Sequence, residues 1–422
     1  MLPLFSKPLE AVTCDDIQLL VSEAYPEDTT VEFKEKLPHR QGGEDPWYQG
    51  GAHSEYARNH LLEEVIAFAN TYGGTLLLGI KETKERPARA AGIVPIPRCT
   101  ELAERLRLQI RDCVDPQIPI VHAWGIVTDA QGQGVVMIRV PKSRLAPHRH
   151  TATLHCYIRR ADRSEKMTMR EIQDLTLQTE RGTQHIDRLF AERRHAFHQW
   201  IPPRIMSPSG AHTISTPYAL RVTLIPLEPL YTEKVFGNSK LFPFIDRLVL
   251  TVGPYKVGLE LPPVRHERPI LRGACRVGNP NSKHYMIHQE LTCYGVGEIR
   301  LAFAHEENLP LDPGRILGAV ANGLYMGEAF RQGVGAPDVE YALEMELSRP
   351  EASLFLGTLR ELSGSSFPSD TLGTVRPNPC LFPRLSVGSA AEFGKIMQIV
   401  TNDLWNAAGT EGIEEEFALG TQ

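Results

Sequence analysis

Two stretches near the N-terminus carry the clearest pattern of apolar and polar positions. Residues 31–34 alternate, with Val31 and Phe33 on one side and Glu32 and Lys34 on the other, as on a strand buried on one face. Residues 66–80 begin as an apolar helix, break at two adjacent glycines, and resume as a short apolar strand from 75 to 80. We therefore expect a helix that leads directly to a central strand, with Glu32 and Lys34 on the open face beside it.

The same patterns predict the remaining elements. Helices are predicted over 14–25, 55–70, 100–113 and 390–408, and from residues 168 and 313 onward; strands are predicted over 121–128, 135–140, 155–160, 218–225, 247–252, 255–261 and, in two pieces, 285–303. Gly182 interrupts the helical pattern that starts at 168, so we expect that helix to end there. The helix over 390–408 is apolar enough to lie at an interface instead of in a core.

These elements predict an α+β protein with two domains. The first domain, over 1–195, has a mixed sheet with packed helices. The second domain, over 211–422, is a strand-rich α+β domain of unknown role. The charged run to Arg194 and the Pro-containing and Ser-containing residues beyond Trp200 indicate a linker over 196–210. Residues 38–54 form a long loop, and loops of that length are usually functional or disordered.

Composition narrows the class of protein. The net charge of −6 excludes a generally basic nucleic-acid coat, so any nucleic-acid binding must use a local patch. The seven cysteines are widely spaced and include no Cys-x-x-Cys pair, which indicates a reducing compartment. The sequence has neither the apolar core of a signal peptide nor a membrane-spanning apolar run. We expect a soluble, cytoplasmic protein with no membrane partner.

A local basic patch is present in residues 139–194. This segment contains thirteen Lys and Arg against seven Asp and Glu, a net charge of +6, together with four histidines, and His195 follows it directly. A patch of this kind suits contacts with nucleic-acid phosphates, and an ordinary solvated face is the alternative.

Three glutamates are candidates for a metal site. Glu27 lies five residues before Glu32, on the turn that precedes the strand, and Glu82 follows the central strand. Convergent carboxylates suit Mg²⁺ or Mn²⁺, whereas glutamates on a strand's polar face are usually just solvated. A zinc site within His148, His150, His155 and Cys156 is conceivable, although their spacing matches no standard pattern. The sequence contains no phosphate-binding Gly-x-x-x-x-Gly-Lys-Ser/Thr motif.

Taken together, these pieces resemble the Schlafen/AlbA-like domain over residues 20–180. The matching segments are Val31-Glu-Phe-Lys34, Ala67-Phe-Ala-Asn-Thr-Tyr-Gly-Gly-Thr-Leu-Leu-Leu-Gly-Ile80, residues 136–141, Ala146-Pro-His148, Tyr157-Ile-Arg-Arg-Ala161 and Met167-Thr-Met-Arg-Glu-Ile172. The resemblance implies a DNA-binding or ATP-binding regulator module. Nuclease-active Schlafen proteins cut tRNA and similar structured RNA with a divalent metal, so the resemblance also implies this activity.

The resemblance also implies roles for particular residues. Glu27, Glu32 and Glu82 match the acidic positions and would be both catalytic and metal-binding, with Mg²⁺ or Mn²⁺ as the ion. This sequence departs from the pattern at Glu82, where an Asp is usual, and at Lys81, which replaces an acidic neighbour. The expected nucleic-acid-binding residues are Lys34, Arg144, His148, Arg149, Arg159, Arg160, Arg163 and Lys166.

Three functions follow as hypotheses. The first is a nucleic-acid-binding protein that acts as a metal-dependent endoribonuclease, with RNA preferred over DNA. The second is a non-catalytic DNA-binding transcriptional regulator, and the third is a nucleotide (ATP)-sensing module. Because the Glu-Phe-Lys and Gly-Gly pieces each occur once, we expect a homodimer that pairs two basic patches. The alternative is a monomer whose C-terminal half supplies the second surface.

Overall fold

A computed structural model of the protein divides the chain into two compact units, Met1–Gln184 and His185–Gln422. The structure describes residues 2–5, 7, 9–40, 43–119, 121–206, 214–245, 247–278, 284–304, 310–337, 339–359 and 371–421. Helices and strands occur together in both units, so the predicted α+β class is confirmed.

The described residues of the first unit form three helices, the start of a fourth, and ten strands. In chain order these are α1 (Cys14–Ser22), β1 (Val31–Lys34), α2 (Glu55–Asn70), β2 (Gly73–Leu78), β3 (Ile80–Glu82), β4 (Ala90–Ile93), α3 (Cys99–Cys113), β5 (Val114–Asp115), β6 (His122–Val127), β7 (Gly134–Pro141), β8 (Arg149–His150), β9 (Tyr157–Arg160), β10 (Arg163–Lys166) and α4 (Met169–Trp200). Short 3-10 helices cover Pro3–Phe5, Leu9–Ala11 and Pro46–Gln49.

A four-stranded mixed sheet organises this unit, in the order β1-β2-β7-β6. Strands β1 and β2 are parallel and the other two pairs are antiparallel. On one face, α2 and α3 bury residues such as Leu62 and Leu106 against Val136 and Ile138. On the other face, α1 and the preceding N-terminal residues pack against Val31 and Phe33. The predicted mixed sheet with packed helices is therefore confirmed, as is the burial of Val31 and Phe33.

The turn between α2 and β2 depends on its two glycines. Gly73 has φ +77°, and a Cβ added there would lie 2.7 Å from the backbone nitrogen of Lys142. A Cβ at Gly74 would lie 2.2 Å from the ring of Phe68. Helix, turn and strand are thus fixed in one tight arrangement, as the sequence predicted.

The described part of the long loop over 38–54 is ordered and packs into the core of the first unit. Trp47 is fully buried, its indole N–H donates to the carbonyl oxygen of Pro97 at 2.6 Å, and the guanidinium of Arg98 lies 3.7 Å from its ring centroid. The buried carboxylate of Asp45 accepts hydrogen bonds from the backbone N–H groups of Trp47 and Ser54. Asp45 therefore satisfies two backbone N–H groups of the loop from within. The glycines and prolines of the loop did not indicate this internal hydrogen bonding.

In the second unit, the part of the chain that the structure describes continues α4 and adds two helices and fifteen strands. These are β11 (Ile205–Met206), β12 (Ile214–Ser215), β13 (Tyr218–Pro226), β14 (Leu248–Val252), β15 (Tyr255–Leu259), β16 (Val264–Ile270), β17 (Gly273–Gly278), β18 (Tyr285–Thr292), β19 (Gly297–Phe303), α5 (Pro313–Gly333), β20 (Tyr341–Ser348), β21 (Phe355–Gly357), β22 (Thr371–Thr374), β23 (Cys380–Leu381), β24 (Leu385–Val387), α6 (Phe393–Ala407) and β25 (Phe417–Thr421), with a 3-10 helix over Ala390–Glu392.

The main sheet of this unit has eight antiparallel strands in the order β16-β17-β18-β19-β13-β20-β23, with β24 also paired to β20. Helices α5 and α6 contribute to its core. Phe393, Met397 and Leu404 of α6 are buried there, so the helix predicted over 390–408 lies in the core and not at an exposed interface.

Helix α4 runs without a break from Met169 to Trp200, so the prediction that Gly182 ends it is wrong. Residues 196–200 of the predicted linker are its last turns, and residues 207–210 lie outside the described part of the chain. Arg193 and Arg194 pair with Glu290 at 2.7 Å and Glu344 at 2.8 Å, which fixes the end of α4 on the sheet of the second unit.

Among the described residues, no helix combines the length and the apolar character needed to cross a bilayer.

Candidate nucleic-acid interface

Glu32 of β1 is buried by the β9–β10 hairpin, a contact that the sequence analysis did not predict. Arg159 lies in β9, and its Nη2 atom is 2.9 Å from Oε2 of Glu32. The same guanidinium donates to Glu64 of α2 at 2.8 Å and to the carbonyl oxygen of Asp28 at 3.1 Å. The face predicted to be open beside Glu32 and Lys34 is therefore covered.

Lys34 is drawn into the same cluster. Its ammonium pairs with Glu32 and lies 4.0 Å from Glu64. Burial alone would lower the pKa of Lys34, but the negative charges of Glu32 and Glu64 outweigh burial and raise it. Lys34 is thus a charged partner of two carboxylates, with less than a third of its side chain exposed.

Glu64 and Ser164 are members of this cluster that sequence reasoning missed. Ser164 stands directly opposite Arg159 in the β9–β10 hairpin, and its hydroxyl donates to the Glu64 carboxylate that Arg159 also binds. Glu64 lies 95 residues before Arg159. Nothing in local spacing signals a contact over that separation.

Glu27 is a buried carboxylate whose pKa is shifted by its surroundings. Its Oε1 accepts the backbone N–H of Phe33 at 2.7 Å, which fixes the side chain over β1. Burial raises the pKa of Glu27 to about 7, with further contributions from the negative charges of Glu32 and, more weakly, of Glu82. Glu27 is therefore close enough to both Glu32 and Glu82 to be repelled by each, although Glu82 is exposed.

The described residues do not form a metal-ligand set. They include no group of three or more His, Cys, Asp or Glu side chains placed to hold an ion, and this covers both the three glutamates and the cluster from His148 to Cys156. Glu32 is occupied by Lys34 and Arg159. An ion shared by Glu27, Glu32 and Glu82 does not fit this arrangement unless both cations leave Glu32.

Two of the predicted nucleic-acid-binding residues are not at the surface. Arg159 has no exposed side-chain area, and His148 is fully buried, with Nδ1 2.6 Å from the carbonyl oxygen of Pro116. Burial lowers the pKa of His148, which keeps the imidazole neutral. Both side chains stabilise the domain interior, so neither is placed to contact a phosphate.

Apart from Lys34, the other predicted cations are exposed, and several have acidic partners. Arg149 pairs with Asp115 at 2.8 Å, Arg160 pairs with Glu171 and lies 3.5 Å from Glu165, and Arg163 lies 3.9 Å from Asp162. Arg144 and Lys166 are also exposed. Most of these carboxylates are already counted in the segment's net charge of +6, whereas Asp115 lies outside the segment and offsets the charge of Arg149.

Residues 27–168 match the family model described as Schlafen, AlbA_2. This range contains β1, the α2–β2 turn, the carboxylate cluster and the β9–β10 hairpin. These residues form a Schlafen/AlbA_2 domain, as the resemblance indicated, and the family connects this part of the chain with nucleic-acid-related function.

Two solved structures are similar to 36% of the chain. One is the DIP2311 protein from Corynebacterium diphtheriae, with 24% identity and a TM-score of 0.25, and the match covers 25% of that chain. The other is the N-terminal domain of a RecG-related protein from Nitrosomonas europaea, with 20% identity, a TM-score of 0.23 and 91% of that chain covered. The present chain thus spans about a quarter of the first of these proteins. No curated protein matches it.

Proposed function

We propose that the Schlafen/AlbA_2 domain binds nucleic acid through two cationic segments held at the C-terminal end of α2. The proposal rests on one observation: both segments are hydrogen-bonded to the C-terminal end of α2. The backbone N–H of Ser143 donates to the carbonyl oxygen of Ala69 at 2.8 Å, and the backbone N–H of Arg159 donates to the hydroxyl of Thr71 at 3.0 Å.

The first segment presents Lys142 and Arg144, and the second presents Arg160, Arg163 and Lys166, all exposed. Cations fixed on rigid elements contact successive phosphates without a large loss of side-chain entropy, and each contact releases counterions. The family match supports the same class of ligand.

Equilibrium binding of the full chain to tRNA, single-stranded RNA and duplex DNA over a series of salt concentrations tests the proposal. We expect binding to all three to weaken as salt rises, and Lys142→Ala with Arg144→Ala to flatten that dependence by roughly one to two phosphate contacts. Arg107→Ala with Arg111→Ala, at exposed positions of α3, is the matched control, because it lowers the net charge by the same amount outside the two segments. Absence of salt-dependent binding to every probe would refute the proposal.

Metal-dependent cleavage of RNA by the same domain is a second candidate function. It is favoured by one observation: burial, followed by the negative charges of Glu32 and Glu82, raises the pKa of Glu27 to about 7, and carboxylates with perturbed pKa values are common at catalytic sites. An ion at these glutamates would require Lys34 and Arg159 to leave Glu32, and it would then supply the positive charge that polarises a phosphodiester.

Incubation of tRNA with wild type and Glu32→Gln, in Mn²⁺, in Mg²⁺ and in chelator, tests cleavage, and the melting temperature of each protein in Mn²⁺ gives a readout independent of activity. Cleavage and a Mn²⁺-induced rise in melting temperature, both confined to wild type, would support the nuclease. RNA left intact together with tight DNA binding would instead support a non-catalytic regulator, and binding of ATP alone would support a nucleotide-sensing module.

A homodimer that pairs two such surfaces completes the proposal, since two cationic surfaces sum their phosphate contacts. Light scattering at micromolar concentration tests it: twice the chain mass of 47.1 kDa is expected, and a single chain mass with and without RNA would refute the dimer.

A further inference from the structure

We propose that Tyr72 stacks on an unpaired nucleic-acid base, so that this surface prefers single-stranded or looped segments. The inference rests on the nucleic-acid binding proposed above and names the part of the ligand that the site contacts. Tyr72 stands in the turn between α2 and β2, and 68% of its surface is exposed. Within the described residues, no hydrogen bond or ring contact engages its side chain.

The backbone that carries Tyr72 is held on both sides. Before it, the Thr71 hydroxyl donates to the carbonyl oxygen of Ala67 at 2.7 Å and accepts the N–H of Arg159 at 3.0 Å. After it, Gly73 packs so closely that an added Cβ would lie 2.7 Å from the nitrogen of Lys142. An exposed ring on a fixed backbone loses little entropy when it binds a flat partner.

The two cationic segments meet at this turn. Gly73 is paired with Pro141, the residue before Lys142, and Thr71 is bonded to the residue before Arg160. The turn that carries Tyr72 therefore lies between the backbone leading into Lys142 on one side and the backbone leading into Arg160 on the other. Cations that follow a backbone, interleaved with an aromatic side chain, are typical of surfaces that bind single strands.

Stacking requires a base whose face is open. In a duplex both faces of each base are already stacked on neighbours, whereas bases in loops and single strands are available to aromatic side chains. Because every base has such a face, the contact adds affinity for unpaired segments without demanding a sequence. It also releases no counterions, so it adds affinity without changing the salt dependence.

The test compares wild type, Tyr72→Ala, Tyr72→Phe and the control Tyr231→Ala, which removes a tyrosine that is 61% exposed in the second unit. The probes are an unstructured RNA of about 12 nucleotides, the same strand with abasic residues at its centre, and a duplex. For Tyr72→Ala we expect roughly a 5- to 150-fold loss of affinity for the intact single strand, with an unchanged salt slope. Tyr72→Phe, Tyr231→Ala and all duplex affinities should stay within about twofold of wild type.

The abasic probe separates stacking from a structural effect. Wild type should bind the abasic strand as weakly as Tyr72→Ala does, and Tyr72→Ala should bind both strands equally, because the same contact is missing in each case. Equal affinities of wild type and Tyr72→Ala for the intact strand would overturn this inference and leave nucleic-acid binding standing. A wild type that binds no probe would overturn both.

Discussion

The guanidinium of Arg159 lies 2.9 Å from the carboxylate of Glu32, and neither side chain exposes more than 5% of its area. Arg159 thereby connects the β9–β10 hairpin to β1, and through Glu64 it connects the hairpin to α2 as well. A residue that charge counting assigned to the nucleic-acid surface is therefore an internal cross-link between three elements of the domain.

Arg159→Ala should destabilise the protein by about 3 to 5 kcal/mol, because it leaves Glu32 and Glu64 with Lys34 as their remaining cationic partner in the cluster. Denaturant unfolding of the full chain, followed by two probes so that the transition of the first unit is resolved, measures the change. Arg163→Ala is the matched control. Its side chain is 53% exposed, and its free energy of unfolding should change by less than about 0.5 kcal/mol. Equal stabilities of the two variants would show that the buried pair contributes nothing.

Glu27→Gln should stabilise the protein at pH 8 and leave it unchanged near pH 4. The folded-state pKa of about 7 lies above the ordinary value of 4.5, so folding favours the protonated acid; that stability is present below pH 4.5 and is lost as pH rises through 7. Gln resembles the protonated acid, and the gain at pH 8 should approach about 3 kcal/mol. Calorimetry at both pH values measures the change in stability. Glu85→Gln, at an exposed position, is the control and is expected to have no effect. A destabilised Glu27→Gln at pH 8 would contradict the raised pKa.

Glu290 should show the opposite pH dependence. Burial alone would raise its pKa, but the hydrogen bond from His288 and the charge of Arg193 outweigh burial and lower the pKa to about 2. Its stabilisation is therefore present above pH 4.5 and is lost as pH falls through 2. Glu290→Gln should cost about 3 kcal/mol at pH 6, and the difference from wild type should shrink by pH 2.5. Acid-induced unfolding followed by circular dichroism measures this difference, and Glu233→Gln, an exposed glutamate, should follow wild type throughout.

The sequence predicted elements well wherever the signal is local. Asp312 accepts the N–H of Gly314 at 2.9 Å and begins α5 where the Asp-Pro pair indicated. Thr168 and Glu171 form the predicted capping box, with the N–H of Thr168 donating to Glu171 at 2.8 Å. Helix α2 has the predicted bounds because its cap, apolar stripe and terminal glycines all lie within twenty residues.

The site depends on contacts that local patterns do not contain. Alternation along β1 shows that Glu32 points away from Phe33, but the side that Glu32 faces is decided by a hairpin more than 120 residues later. The same limit applies to Glu64, which is one of three glutamates on α2 and which no local pattern distinguishes from the others. Counting charges gives the net charge of residues 139–194 but not their pairing, since Arg149 pairs with Asp115, 34 residues earlier in the chain.

Gly182→Ala should stabilise α4 by about 1 kcal/mol. The position is in the interior of a continuous helix, where Gly costs that much relative to Ala, and an added Cβ would meet no atom within 4 Å. Thermal unfolding monitored by circular dichroism measures the gain. Gly73→Ala is the contrasting variant, because its φ of +77° and its close backbone neighbours make any side chain destabilising. A loss of stability in Gly182→Ala would show that the helix needs a break there after all.

The central strand of the second unit has a consequence for synthesis on the ribosome. Every residue of β13 is buried, and its partners come much later in the chain: Thr223 binds Glu298, 75 residues on, and Arg221 binds Glu344, 123 residues on. At usual elongation rates those partners emerge roughly 4 to 25 s after β13. During that interval a long apolar strand has two unpaired edges while the N-terminal unit is already complete. We therefore expect residues 218–226 to be the segment that a nascent-chain chaperone holds, and the step at which slow translation favours aggregation.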